Sequence, residues 1–155
     1  MTLSHRPLRS ALYIPGSKPR ALEKARNLPT DSIIFDLEDA VSAESKSEAR
    51  VILRAALAQG GYGARLKIVR INALNTPSGE ADLQALDGLD VDAVLLPKVN
   101  SAGDLDALAN VVGAKWPLWA MLETPLGILN AGEIAAHQLR QALVAGTNDL
   151  AKDLK

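Results

Sequence analysis

Short apolar runs alternate with longer amphipathic stretches from one end of this chain to the other, and no feature constrains the fold more. A β-rich run followed by a helical stretch, repeated in the same order, buries its apolar residues when the strands lie parallel and the helices pack across them. Strands are expected over residues 11–14, 32–35, 66–71, 93–96, 118–122 and 141–145. Helices are expected over 19–27, 43–58, 79–85, 102–112 and 128–137, each with apolar residues at helical spacing. Ser17 before Pro19, and Ser101, stand where N-caps belong. Gly60-Gly61, Gly88 and Gly113 stand where the chain must turn.

The polar residues that follow each apolar run carry the functional information. The first run leads into Pro15-Gly16-Ser17-Lys18, the second into Asp36-Leu37-Glu38-Asp39, and the third closes on Arg70 and Asn72. The remaining three meet Pro97-Lys98, Glu123-Thr124 and Gly146-Thr147-Asn148-Asp149. In a parallel sheet the carboxyl ends of the strands share one rim, where loops and helix N-termini converge on a ligand. Six separated segments therefore become one expected pocket.

Composition narrows what that pocket serves. With 155 residues and 48% hydrophobic content, the chain has material for one core, and a single domain over 1–155 is expected. Seventeen basic residues offset eighteen acidic ones, so no global field attracts nucleic acid or an anionic membrane. Aromatic residues at 3% leave few platforms for stacking bases. No apolar stretch approaches the ~20 residues of a membrane span, and the N-terminus lacks the apolar core of a signal peptide. The absence of cysteine removes thiolate metal sites and a thiol nucleophile, and fits a cytoplasmic setting.

Six blocks in order, each at an expected strand end, resemble the aldolase/citrate lyase family in its citrate lyase beta-subunit and malyl-CoA lyase branch. They are Leu12-Tyr13-Ile14-Pro15-Gly16-Ser17, Phe35-Asp36-Leu37-Glu38-Asp39-Ala40-Val41, Val69-Arg70-Ile71-Asn72, Leu96-Pro97-Lys98-Val99, Leu122-Glu123-Thr124-Pro125-Leu126-Gly127-Ile128 and Gly146-Thr147-Asn148-Asp149-Leu150. The resemblance implies an α/β fold, a TIM (β/α) barrel of the phosphoenolpyruvate/pyruvate type, here truncated to about six βα units. An eight-stranded barrel takes ~250 residues, so two βα units have no sequence here. The implied activity is Mg²⁺-dependent carbon–carbon cleavage or formation in a β-hydroxyacyl-CoA such as citryl-, malyl- or citramalyl-CoA. The implied assembly is a homo-oligomer, a trimer or hexamer.

Carried over residue by residue, the resemblance makes Glu123 and Asp149 the metal ligands and places Arg70, with Glu123, on the substrate. It assigns coenzyme A contacts to Tyr13, Lys18 and Lys24. The chemistry of the residues agrees in part: a hard divalent ion takes one or two carboxylates and leaves positions for water and substrate oxygens. Helix capping by Glu123 and Asp149 is the plainer reading of the same two residues. Arg70 ends an apolar strand and can fork onto a carboxylate, either the substrate's or that of Asp36 or Glu38 next door. Asp36, Glu38 and Asp39 are expected to order the ion's water and Arg70 from behind, or else to form a solvated acidic turn. Ser17, Lys18, Arg20 and Lys24 cluster at a helix start suited to phosphates, with a solvated surface explaining Lys24 equally well. Lys98 is placed for a Schiff base, but pairing with local acids is the expectation. His5 and His137 belong to no block, so the general base is left unassigned. Two other functions stand beside the lyase: an inactive truncated barrel acting as an interaction module, and a metal-dependent pyruvate-type aldolase.

Overall fold

The computed structural model describes residues 7–155, and His5 lies outside them. Six strands, β1 (Ala11–Pro15), β2 (Ser32–Asp36), β3 (Leu66–Arg70), β4 (Ala93–Leu96), β5 (Leu118–Leu122) and β6 (Arg140–Ala145), form one sheet in chain order. Every neighbouring pair is parallel. Between them run α1 (Pro19–Ala25), a 3₁₀ turn (Ala43–Ser45), α2 (Lys46–Gln59), α3 (Pro77–Ala85) and α4 (Ala102–Val112), then α5 (Pro125–Leu129), α6 (Ala131–Ala136) and, after β6, α7 (Thr147–Leu154). A strand order that follows the chain, without reversal, is how a barrel is built rather than a doubly wound sheet. The sheet nevertheless has two edges, β1 and β6. The closed barrel that the resemblance implies is thus not formed by these residues. No helix among them is long and apolar enough to cross a membrane.

Strand alternation divides the core. Ile33, Phe35, Val69, Val94, Leu96, Leu118, Ala120 and Leu122 point outward to meet Leu22, Leu53, Leu105 and Leu108 of the helices. Ile34, Ile68, Ala93, Leu95, Trp119 and Met121 fill the opposite face. β2, β4 and β5 are buried at every position, the signature of strands covered on both sides. The inward ranks of β2 and β3 end in Asp36 and Arg70, which face each other in register. The next inward position after Met121 is Glu123. The apolar stack therefore leads straight up to a charged layer.

The helices depart from expectation in informative ways. The second is preceded by a separate 3₁₀ turn, and the third begins two residues early because Pro77 suits a first helical turn. The expected helix over 128–137 is two short helices broken at Asn130, whose backbone (φ −93°, ψ 10°) leaves the α region. The first of these is capped by Thr124, whose side-chain oxygen accepts from the Gly127 N–H. Lys18, not Ser17, occupies the N-cap of α1, without a side-chain cap bond. Ser101 does begin α4, and the Asp104 carboxylate reaches back to accept the N–H groups of Asn100 and Ser101. Gly60, Gly61, Gly88 and Gly113 adopt positive φ, as their turns require.

Candidate metal and substrate site

At the carboxyl rim of the sheet lies a cavity of about 540 Å³, walled by Tyr13, Asp36, Asp39, Arg70, Glu123, Gly146, Asp149 and Lys152 among others. Its fixed point is Arg70. The register of β2 and β3 puts its guanidinium against Asp36, with Nε donating to Oδ1 at 2.8 Å and Nη2 to Oδ2 at 2.5 Å. Nη1 adds Glu38 at 3.1 Å and Asp39 at 3.7 Å. Asp36 also accepts the N–H groups of Glu38 and Ala40, which folds the acidic turn back over the strand end. The cation sits 5.4 Å from the Tyr13 ring centroid. Burial alone would weaken the guanidinium's hold on its proton, but Asp36, Glu38 and Asp39 outweigh it and strengthen that hold.

Glu123 follows β5 and is only 1% exposed. Its Oε1 accepts the Lys98 backbone N–H at 2.9 Å. A Cβ built on Gly146 would lie 2.5 Å from the Glu123 Cβ and 2.6 Å from Oε2, so only glycine lets the end of β6 pass this carboxylate. Burial pushes the Glu123 carboxyl above the ordinary glutamate range, against the opposing pull of the Lys98 N–H and Arg70. Asp149 lies in the first turn of α7. Lys152, one turn on, donates to its Oδ1 at 2.8 Å and holds its carboxyl below the usual range, with Lys98 adding to the effect.

Most sequence-expected residues meet here. Tyr13, Asp36, Asp39, Arg70, Glu123 and Asp149 all line the cavity. Glu38 binds Arg70 from its side, and Lys98 pairs with local acids as expected, donating to Glu38 Oε1 at 2.7 Å. Lys18 and Lys24 do not line it: they stand at the N-cap and in the last turn of α1. Asn72 corrects the expectation that every strand end feeds the pocket. It is buried behind the rim, where its Nδ2 donates to Asp82 Oδ2 at 2.6 Å and to the Leu37 carbonyl at 2.9 Å. Asp82, fully buried and also bound to Arg50, escaped the sequence reading because a lone acid inside a helix gives no signal there. Lys152 also escaped it, although its spacing of three from Asp149 was visible. His137 caps α6 and meets Asp106 of α4, outside the cavity.

Among the described residues no group of three or more His, Cys, Asp and Glu side chains is arranged to hold a metal ion. Of the four carboxylates on the cavity, those of Asp36 and Asp39 face Arg70, and the remaining pair is a donor set that suits Mg²⁺, which dehydrates reluctantly and keeps water or substrate in its remaining positions.

The HpcH/HpaI aldolase/citrate lyase family model matches residues 9–155. The chain belongs to this family. It is 56% identical over 148 residues to a (3S)-malyl-CoA thioesterase of Cereibacter sphaeroides (strain KD131 / KCTC 12085), a match covering 96% of this chain and 52% of that protein. It is 34% identical to the citrate lyase subunit beta of Leuconostoc mesenteroides subsp. cremoris, over 95% of this chain and 52% of that protein. The chain thus spans about half the length of these HpcH/HpaI relatives. Among solved structures, the citrate lyase beta subunit of M. tuberculosis complexed with oxaloacetate and magnesium superposes with a TM-score of 0.76 at 34% identity, covering 93% of this chain and 60% of that one. A structure of the M. tuberculosis protein CitE with magnesium, acetoacetate and coenzyme A gives 0.74 at 33% identity, covering 93% of this chain and 50% of that one.

Proposed function

We propose that the chain carries the metal-binding and carboxylate-binding half of an active site that breaks or forms a carbon–carbon bond in a β-hydroxyacyl-CoA, with Mg²⁺ held by Glu123 and Asp149. The observation that supports this most is that the two carboxylates, which leave the sheet from adjacent parallel strands, line one cavity together with Arg70. Mg²⁺ bound there would supply the positive charge that stabilises an enolate oxygen as the bond breaks.

The chain's own residues supply binding and order. Arg70, pinned by Asp36 and Glu38, presents a guanidinium of fixed orientation to the substrate carboxylate. Asp36, Glu38 and Asp39 hold that guanidinium and restrain the rim around the ion. Tyr13 on the cavity wall and Lys18 at the start of α1 are the coenzyme A contacts, and Lys24 at the far end of α1 is the weakest member of that set. The exposed leucines at and just before β6, Leu143 and Leu139, support association of the chain into a homo-oligomer.

A thioesterase outcome is the second reading, favoured by the 56% identity to a (3S)-malyl-CoA thioesterase. Incubation with malyl-CoA and Mg²⁺ separates the two: acetyl-CoA and glyoxylate report carbon–carbon cleavage, whereas free coenzyme A and malate report hydrolysis. Neither set of products, at any Mg²⁺ concentration, would overturn both.

A further inference from the structure

Lys98 is the one residue other than glycine among the described residues with positive φ, at 52°. A side chain is costly in this conformation and persists where surrounding bonds over-determine it. Those bonds are specific here. The backbone N–H of Lys98 donates to Glu123 Oε1 at 2.9 Å, and the next N–H, of Val99, continues the ladder to the Met121 carbonyl at 3.1 Å. At its other end the Lys98 ammonium lies 2.7 Å from Glu38 Oε1, 3.7 Å from Asp39 Oδ1 and 4.0 Å from Asp149 Oδ2. One residue therefore touches both carboxylates assigned to the metal, each through a different part.

We propose that Lys98 is a positioning residue that sets the affinity of this site for its divalent ion, a role that rests on the metal reading of Glu123 and Asp149. Its left-handed backbone fixes Oε1 of Glu123, which leaves Oε2 on the side of Gly146, where β6 ends and α7 begins. Its ammonium serves as a resident counter-cation for Asp149 and the acidic turn. A divalent ion arriving at Asp149 meets a like charge a few ångström away, and the ammonium gives way toward Glu38, to which it is already bonded. The site is thereby kept from holding the ion as tightly as its acids alone would.

Lys98→Gly isolates the ammonium, because glycine adopts the left-handed backbone freely and keeps the N–H that Glu123 uses. Calorimetric titration with MgCl₂ should give a roughly tenfold lower Kd than wild type, the effect of deleting a unit charge near a divalent ion in a water-like medium. Lys98→Arg should return the Kd to near wild type. Lys98→Ala, which combines the charge loss with backbone strain, should melt below Lys98→Gly without added metal. An unchanged or weaker Mg²⁺ affinity in Lys98→Gly, while wild type binds, would overturn the proposal. A wild-type protein that takes up no Mg²⁺ would instead count against the metal reading itself.

Discussion

Glu123 and Asp149 leave the sheet one strand apart, yet the surroundings that position them differ sharply. Glu123 follows a strand buried at all five positions, in a region where β2, β4 and β5 are covered on both faces. Asp149 follows β6, whose residues alternate between partly buried and exposed, and it sits on α7, a helix with no buried residue. The nearby apolar side chains of Leu129 (81% exposed), Leu139 (51%) and Leu154 (63%) face solvent. A parallel strand needs cover on both faces and a partner on both edges, and β6 has one partner. Half of the site is built on rigid core and the other half on the rim of the sheet.

The largest test of this contrast is Arg70→Met. It leaves Asp36 buried without its cation, while Glu38 keeps only Lys98, and the expected loss is about 3–5 kcal/mol in chemical denaturation. A loss under about 1 kcal/mol would mean that the charged layer is not part of the rigid half. Ile34→Ala and Val144→Ala compare the two regions directly. The first empties a fully buried position of β2 and should cost about 2–5 kcal/mol, whereas the second, on half-covered β6, should cost less than about 1.5 kcal/mol. Equal costs would break the comparison. Gly146→Ala tests the junction of the halves: a Cβ overlapping Glu123 should destabilise by about 1–3 kcal/mol and weaken Mg²⁺ uptake, as read by urea melts and calorimetry.

The pH dependence gives the smallest effect and distinguishes the two acids. Burial raises the Glu123 carboxyl above 4.5, so the folded protein binds this proton more tightly than the unfolded chain does. Its stabilising contribution is present below the unfolded value and fades as pH rises through the folded one. Asp149, held below 3.8 by Lys152 and Lys98, contributes in the opposite sense and loses its contribution only as pH falls through its lowered value. Titration calorimetry should therefore show Mg²⁺ affinity declining on acidification while the pH is still above 4.5, as Glu123 takes up its proton. A decline beginning only below 3.8 would assign the metal-linked proton to Asp149 instead.

The legibility of the sequence follows the same division. Strands β4 and β5 lie on the residues expected, because continuous Val/Leu/Ala and Leu/Trp/Met runs bounded by turn residues leave little choice. β6 carries a register shift between Leu118 and Trp119 of its partner, which a pattern of alternating residues does not announce. The break at Asn130 depends on its carboxamide bonding the Asn100 carbonyl, a long-range contact with no local signal. The lining of the cavity was readable where a polar residue sat at a strand end, as with Arg70, Glu123 and Asp149. It was unreadable where the backbone does the work: the left-handed turn at Lys98 and the bare Cα of Gly146 show their purpose only once Glu123 lies between them.

Calorimetric titration of Mg²⁺ into wild type, Glu123→Gln and Asp149→Asn tests the central claim most directly. Glutamine keeps an acceptor for the Lys98 N–H, so the fold should survive while the charge is lost. The expected result is a single Mg²⁺ site in wild type whose heat disappears in either variant, with both variants folded by circular dichroism. Undiminished Mg²⁺ binding in both folded variants would contradict it.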